Sequence, residues 1–333
     1  MAREKGPLRL AVIGCGRIAQ AHLSAIASSS RTECALVVET RETAGKAAAE
    51  QYGCRYRSDY RELGDGLDAV IVCTPPHTHF EIARFSLEAG LHVLCEKPLA
   101  LTTDQAETLV SISERGGRWL GMCSKFRYVD DVIKAKALLE SGILGRAVLY
   151  ENTFARKIPM QDRWNSDRSI SGGGVLIDNG SHSVDIARYL LGPIEAVQAE
   201  RAIGVQGLEV EETVRLLFRS ESGVLGVADL SWTINKEQDS YIRIFGAEGT
   251  LEVGWNGSRY RQASSKAWVA FGDGYDKLGA IRRQLENFAG TVMDDDPPLI
   301  TPEDALASVR VIEAAYRSLK NDDWVTPRAT PRT

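Results

Sequence analysis

The chain has 333 residues, 44% of them hydrophobic and 26% charged, with a formal net charge of −5. That length suits two domains, each able to bury its own core without metal or disulfide support. The balance is that of a globular enzyme, and an acidic chain with no dense Lys/Arg stripe argues against nucleic acid as a partner.

No stretch reaches the roughly 18 apolar residues of a membrane span, so no membrane partner is expected. The charged opening, Met1 to Pro7, lacks the apolar core of a secretory signal. Six cysteines (Cys15, Cys34, Cys54, Cys73, Cys95 and Cys123) lie in the first part of the chain and form no C-x-x-C pair. Reduced thiols, a cytoplasmic location and no metal are the expectation.

In chain order, strands are predicted over 8–13, 34–38, 69–73, 91–94 and 119–123. Helices over 17–28, 42–52, 79–89 and 103–115 alternate with them. Short apolar strands spaced by helices of this length make βαβ units and a parallel sheet buried on both faces. Past about residue 145 the texture becomes β-rich: 147–154, 194–201, 213–218, 223–232, 241–245 and 250–253. Turns such as Gly246-Ala-Glu-Gly249 and Gly254-Trp-Asn-Gly257 separate these runs. This half reads as a largely antiparallel sheet with few helices, one over 182–191. A last amphipathic helix over 303–319 opens at Thr301-Pro302 and repeats apolar residues at helical spacing from Ala305 to Leu319.

Gly14-Cys-Gly16-Arg17-Ile18-Ala19 follows the first strand and opens the first helix. In that context the first glycine permits the tight turn, the second lets backbone approach a pyrophosphate, and a small third residue packs helix on strand. The helix N-terminus offers N–H groups and partial positive charge to phosphates. Glu39, at the end of the second strand, stands where an acid binding the ribose hydroxyls is expected, and it would repel a 2′-phosphate. Arg41 would instead attract that phosphate. NAD is favoured over NADP. A solvated strand-end acid is the plain alternative for Glu39.

Two further segments carry chemistry. His92-Val-Leu-Cys-Glu96-Lys97-Pro98-Leu99 ends a strand in a charged pair followed by proline, which places Lys97 at the ligand-binding edge of an open sheet. Gly172-Gly-Gly174 leads into Asp178-Asn-Gly180-Ser-His182-Ser-Val-Asp185. If this is helical, Asp178 and His182 share a face, where a carboxylate can set the imidazole tautomer. Taken singly, Lys97 is as readily a solvated charge, His182 a structural partner of an acid, and Asp185 a cap or supporting residue. His77 and His79 have no carboxylate or cysteine cluster beside them to make a metal site; His79 packs or lines the cofactor cleft. His22 reads as an ordinary helix residue. Tyr128, Phe154, Trp164 and Trp232 read first as core, then as pocket walls.

These residues resemble the Gfo/Idh/MocA family. The carriers are Gly14-x-Gly16-x-x-Ala19, Thr74-Pro75 with His79, Glu96-Lys97-Pro98, Phe126-Arg127-Tyr128, Gly172-Gly-Gly with Asp178 to Asp185, Gly246-Ala-Glu-Gly249 and Thr301-Pro302-Glu-Asp304. The resemblance covers nearly the whole chain. It implies an α/β Rossmann domain over 1–124, then an α+β domain over 125–322 with an open, mostly antiparallel sheet for substrate binding and oligomerisation. The helix at 303–319 would pack between domains, and 323–333 would be a flexible tail.

The resemblance further implies an NAD(P)-dependent dehydrogenase acting on a sugar or cyclitol, as a homodimer or homotetramer. His182 would be the general base, Lys97 would polarise the reacting oxygen, and Asp178 would orient the substrate. Gly14, Gly16, Arg17, Ile18, Ala19, Glu39, Arg41, Thr74, Pro75, His79, Glu96 and Lys97 would contact cofactor. Arg127, Tyr128, Arg156 and Trp164 would contact substrate, together with Asp178 and His182. Lys157, Arg163 and Arg168 add positive charge that suits a phosphorylated, nucleotide-linked or uronate sugar, or they are solvated loop cations. The rival reading is a transient-redox glycosidase of the same build, and a non-catalytic cofactor-binding protein is the remoter one. Pro76 replaces an Asn often seen there, and Ser124-Lys125 stands where Asn is common; both departures weaken any carry-over of a particular substrate.

Overall fold

The computed structural model describes residues 6–236 and 238–327, so 328–333 of the expected tail lie outside the described residues. The chain begins β1 (Leu8–Ile13), α1 (Arg17–Ala27), β2 (Thr32–Val38), α2 (Glu42–Tyr52) and β3 (Arg55–Arg57). Next come β4 (Ala69–Val72), α3 (His79–Glu88), β5 (His92–Cys95), α4 (Thr103–Gly116) and β6 (Leu120–Met122). They are followed by α5 (Asp130–Glu140), β7 (Ala147–Ala155), α6 (Arg168–Ser171), α7 (Val175–Leu191), β8 (Ile194–Arg201), β9 (Thr213–Ser220) and β10 (Leu225–Ser231). The rest is β11 (Ser240–Gly246), β12 (Gly249–Gly254), β13 (Ser258–Gln262), β14 (Val269–Gly272), α8 (Lys277–Asp294) and α9 (Pro302–Asn321). Among the described residues no helix is long and apolar enough to cross a membrane.

Two compact units result: residues up to Lys125 with Lys277–Leu306, and Phe126–Asp276 with residues from Ala307 onward. In the first, six strands pair in parallel in the order β3-β2-β1-β4-β5-β6. The chain winds outward from β1 to β3, then restarts at β4 on the other side of β1. The crevice at the carboxyl ends of β1 and β4 is therefore the switch point where ligands bind in such sheets. Leu10, Val12, Ile71 and Leu94 are buried at its centre.

The first unit ends at Lys125, beside the expected division at 124/125, but it also takes a later segment that was expected in the second domain. The segment 277–306 belongs to the first unit. Its helix α8 was not predicted, although Ala280, Ile281, Leu285 and Phe288 form a helically spaced buried stripe. That stripe joins the core containing Leu23 and Ile26 of α1. A reading in chain order has no means of returning a late helix to an early sheet.

The second unit is an eight-stranded sheet in the order β14-β13-β12-β11-β7-β10-β9-β8. Its pairs are antiparallel except β7 with β10. β9 alternates buried and less buried residues, as a sheet covered on one face does. Strands β13 and β14, the short β3 and helix α5 were not predicted. Their apolar residues are too few or too interrupted for a clear period. The expected tail is also tied down where it is described: Val325 exchanges two backbone hydrogen bonds with Val197 of β8, at 2.9 and 2.8 Å. The lone valine next to Trp324 finds an available edge partner that composition alone did not reveal.

Candidate active site

The turn after β1 is shaped by contact. Gly14 adopts φ +93°, and a Cβ there would lie 2.9 Å from the Cys73 carbonyl carbon and oxygen. No L side chain fits so close to the end of β4. Gly16 differs: a Cβ would meet nothing within 4 Å, so the glycine leaves open space beside the first turn of α1. No side chain caps that helix, whose first turn begins at exposed Arg17, half-buried Ile18 and fully buried Ala19. Backbone N–H groups and open space at a helix start suit a pyrophosphate.

Glu39 reaches back to this turn. Its Oε2 accepts the Cys15 N–H at 2.9 Å, and its carboxylate accepts the Arg41 N–H, Nε and Nη2 at 3.0 Å each. Burial pushes the carboxyl pKa up, but the Arg41 and Cys15 hydrogen bonds and the Arg41 charge outweigh it and hold it at about 2. Glu39 is thus an anion at neutral pH, with an exposed Arg41 folded onto it.

The loops after β4 and β5 are bolted together by His79. Its Nδ1 lies 2.7 Å from the Pro98 carbonyl oxygen and its Nε2 lies 2.8 Å from that of Thr74. Burial lowers the ring's pKa against the pull of those carbonyls. With no exposure and a carbonyl oxygen beside each ring nitrogen, a neutral His79 donates to one of the two and holds the loops together, packing beneath the site where a cofactor contact was expected. Thr74 and Pro75 remain half-buried at the strand end. The Lys97–Pro98 peptide is cis.

Glu96 likewise turns inward. Its Oε1 pairs with His22 Nε2 at 2.8 Å, and its Oε2 accepts the Lys97 N–H at 3.3 Å. Burial raises its pKa, but the His22 hydrogen bond and the charges of His22, Lys125 and Lys97 hold it below the usual range. His22 is therefore a partner of the Glu-Lys-Pro segment rather than an ordinary helix residue. His22, Glu96 and Cys123 bring one donor atom each within 4.8 Å of one another. His22 Nε2 is shared between Glu96 Oε1 at 2.8 Å and the Cys123 sulfur at 3.9 Å.

In the second unit the candidate residues lie on α7, which begins at Val175 and places Asp178 in its first turn, four residues before His182. The glycines before it are required by close approach. A Cβ on Gly173 would lie 1.9 Å from the Tyr316 hydroxyl, and one on Gly174 would lie 2.0 Å from the Glu211 carbonyl oxygen. Glu211 is the residue that sequence reasoning missed. Its buried Oε1 accepts the Gly174 N–H at 2.8 Å, the Leu176 N–H at 3.3 Å and the Tyr316 hydroxyl at 2.6 Å. It thereby caps the helix that carries Asp178 and His182. The only signal was an acidic run, Glu209-Val-Glu211-Glu212, which reads equally well as a solvated loop.

Further along α7, Asp185 forms a buried ion pair with Arg127, whose Nη2 lies 2.7 Å and Nε 3.0 Å from the carboxylate. Arg127 and Tyr128 are both buried, Arg156 is exposed and Trp164 is 44% exposed. The helix and its neighbours thus bring Asp178, His182, Asp185 and Arg127 into one unit, with Arg127 paired to α7 through Asp185. The His182 ring meets the Phe126 edge at 5.2 Å between centroids. Phe126 in turn packs on Phe154 at 4.9 Å and Tyr275 at 5.0 Å, and Tyr241 packs on Trp255 at 4.6 Å. Trp255, from the Gly-Trp-Asn-Gly turn, and Tyr275 join this aromatic wall without having been predicted. Trp232 is core, as expected.

Comparison with known proteins agrees with this architecture. Residues 8–123 match the model described as "Oxidoreductase family, NAD-binding Rossmann fold", and residues 132–252 match the GFO/IDH/MocA C-terminal domain. An inositol 2-dehydrogenase of Saccharopolyspora erythraea is 30% identical over 342 residues, spanning 98% of this chain and 97% of that protein. A D-glucoside 3-dehydrogenase of Escherichia coli K12 is 31% identical over 218 residues, 64% of this chain and 62% of that protein. A solved structure of levoglucosan dehydrogenase with NADH and levoglucosan shares the fold, with a TM-score of 0.90 at 23% identity, covering 97% of this chain and 100% of that one. The strand-end glycine turn, the Glu-Lys-Pro segment and the histidine-bearing helix therefore belong to a member of the Gfo/Idh/MocA family of oxidoreductases.

Proposed function

We propose that this chain is a dehydrogenase that uses NAD in preference to NADP and acts on a secondary alcohol or ketone carbon of a sugar, sugar derivative or cyclitol. The observation that carries this reading is the turn itself: an uncapped helix start beside Gly16, with the Glu39 carboxylate bonded to the Cys15 N–H. These residues fit a dinucleotide, since backbone N–H groups face phosphate and an acid faces ribose. Gly14, Gly16, Arg17, Ile18 and Ala19 receive the pyrophosphate, and Thr74, Pro75 and Lys97 border the cofactor. When bound, the nicotinamide supplies the hydride donor or acceptor.

The remaining work falls to the chain. During oxidation His182 takes the hydroxyl proton, and in reduction it returns it. Lys97 donates a hydrogen bond to the reacting oxygen and stabilises its developing negative charge. Asp178 orients the substrate, and Arg156 and Trp164 supply outer contacts. Arg127 acts through Asp185 and α7. For cofactor choice, an ionised Glu39 repels a 2′-phosphate and keeps Arg41 engaged, which favours NAD.

We also propose a cytoplasmic homodimer or homotetramer that uses the outer face of the eight-stranded sheet. Leu225, Leu149 and Phe245 lie side by side there across β10, β7 and β11, with Leu225 43% and Leu149 44% exposed.

The test is a panel of cyclitols, sugars, sugar phosphates and nucleotide sugars with NAD or NADP, read by reduced-nicotinamide absorbance. One responsive substrate class, with NAD better than NADP, is the expected result. Glycosidic cleavage without net nicotinamide reduction would replace the dehydrogenase reading with the transient-redox one.

A further inference from the structure

We infer that Trp255 and Tyr275 form a stacking platform for the substrate ring, one that selects a cyclic polyol with a face of axial C–H bonds over an open-chain polyol. The platform would serve the proposed dehydrogenase site, so its role rests on that reading of His182. The aromatic wall has a buried layer and an outer one. Phe126, Phe154 and Tyr241 are buried, whereas Trp255 is 37% exposed and Tyr275 is half-buried. Each outer ring is backed by an inner one. Tyr275 lies on Phe126 with centroids 5.0 Å and planes 21° apart, and Trp255 lies on Tyr241 at 4.6 Å and 38°. The two outer rings meet at 5.5 Å, nearly at right angles. Packing alone would bury the large rings; this wall turns an indole outward beside candidate polar groups, as ligand pockets do.

Two contacts join the wall to α7. The Phe126 edge meets the His182 ring at 5.2 Å, so Tyr275 stands one ring beyond it. Asn179, which follows Asp178, donates from Nδ2 to the Phe154 carbonyl at 3.2 Å.

The outer rings sit on loops that are clamped together. The Tyr275 N–H donates to the Trp255 carbonyl at 3.0 Å, and the Trp255 N–H donates to the Asp239 carbonyl at 3.0 Å. Gly274 adopts φ +102°, and a Cβ there would lie 2.5 Å from the Trp255 carbonyl oxygen. Behind both loops lies buried Asp131, in the first turn of α5. Its Oδ2 accepts the Gly274 N–H at 2.8 Å and the Ser258 hydroxyl, whose oxygen accepts the Gly254 N–H at 3.2 Å. Asp131 is therefore a positioning residue. It touches no substrate but holds the residues flanking both outer rings.

An aromatic face is negative, and the axial C–H hydrogens of a pyranose or cyclohexane ring are weakly positive. With its hydroxyls equatorial, such a ring offers a flat apolar face to the platform and keeps its hydroxyls at the rim for Asp178 and His182. An open-chain polyol has no such face and must lose rotamer freedom to lie flat.

Saturation-transfer NMR on the full chain tests it, with NADH present so that no alcohol is oxidised. Methyl β-D-glucopyranoside and scyllo-inositol, whose hydroxyls are all equatorial, are the ring probes, and D-glucitol is the open-chain probe. Saturating the aromatic protons should mark the axial protons of one glucoside face more than those of the other, or mark scyllo-inositol, and leave D-glucitol weak. Trp255→Ala and Tyr275→Ala should each cut that signal about fivefold. With the responsive substrate both should raise KM about tenfold while kcat stays within about twofold. Asp131→Ala should raise KM in the same way, and Asp131→Asn, which keeps an oxygen for Ser258 and Gly274, should restore it. Equal signal from ring and open-chain probes, or none from either ring, overturns the platform. So does a Trp255→Ala protein that changes its oligomeric mass and not its KM. Turnover with KM unchanged in both ring variants removes the platform and leaves the dehydrogenase. One-faced saturation lost in Trp255→Ala, with no nicotinamide reduced by any substrate, supports the platform and removes the dehydrogenase.

Discussion

The two units build their sites in opposite ways. In the first, the groups aimed at cofactor come from short contiguous segments at strand ends, and Cys15 and Glu39 are only 24 residues apart. In the second, one helix carries the proposed acid–base residues and distant residues hold it. Glu211 is 37 residues from Gly174, Tyr316 is 105 from Glu211, and Arg127 is 58 from Asp185. A local site is open to change one contact at a time. A helix held from afar ties activity to stability, because each support also contributes to the core.

The largest effects should come from the proposed acid–base and polarising groups. His182→Ala and Lys97→Ala are each expected to lower kcat by about 10²–10⁴. The unfolding midpoint of Lys97→Ala should stay near wild type, and NAD binding, where Lys97 also borders the cofactor, should weaken far less than kcat falls. A loss of NAD affinity as large as the loss of kcat would instead make Lys97 chiefly a cofactor-binding residue.

Next comes the ion pair under α7. Arg127→Met removes the guanidinium from a buried carboxylate and should cost about 3–5 kcal/mol in denaturant unfolding. Arg127→Met with Asp185→Leu should recover most of that stability. Equal costs in the single and double variants would mean that Arg127 matters for its packing and not its charge.

Smaller losses are expected at the helix start. Glu211→Gln should cost about 1–2 kcal/mol by weakening the cap. Tyr316→Phe should cost about 1 kcal/mol for one hydrogen bond. Both should lower kcat while leaving NAD affinity unchanged. A change in NAD affinity alone would break the contrast between the units.

The smallest effect on turnover is expected for Glu39→Gln, which should weaken NAD and narrow its advantage over NADP. The pH dependence sharpens this. Glu39 is held at about 2 against an ordinary 4.5. Its folded-state pKa is depressed, so its stabilisation is complete above about 4.5 and is lost as pH falls from there through 2. Acid unfolding of Glu39→Gln should lack that component of the pH dependence. Identical acid limbs in wild type and variant would contradict the assignment.

Legibility followed the same division. The glycine turn, Glu39 and the Glu-Lys-Pro segment were readable because their meaning lies in neighbouring residues. Asp178, His182 and Asp185 were readable as a spacing, and the observed helix bears that spacing out. Glu211, Trp255 and Tyr275 were not, since an acid in a loop or an aromatic after a glycine acquires its role only from what folds against it. His79 and His22 were visible, but their burial was not, and burial made them supports. Helix α8 had a readable period, yet its place in the first unit depended on tertiary return of the chain. Arg127 was readable as a charge, but its partner Asp185 was not.

The central claim is hydride transfer from a carbinol carbon with His182 taking the hydroxyl proton, and deuterium tests it most directly. The responsive substrate, deuterated at its carbinol carbon, is incubated with NAD and the wild-type protein, and the nicotinamide is analysed by NMR. The account predicts one deuterium at nicotinamide C4, matched one-to-one with oxidised product and abolished in His182→Ala. Deuterium washed into solvent, or product formed with the nicotinamide unreduced, would contradict it.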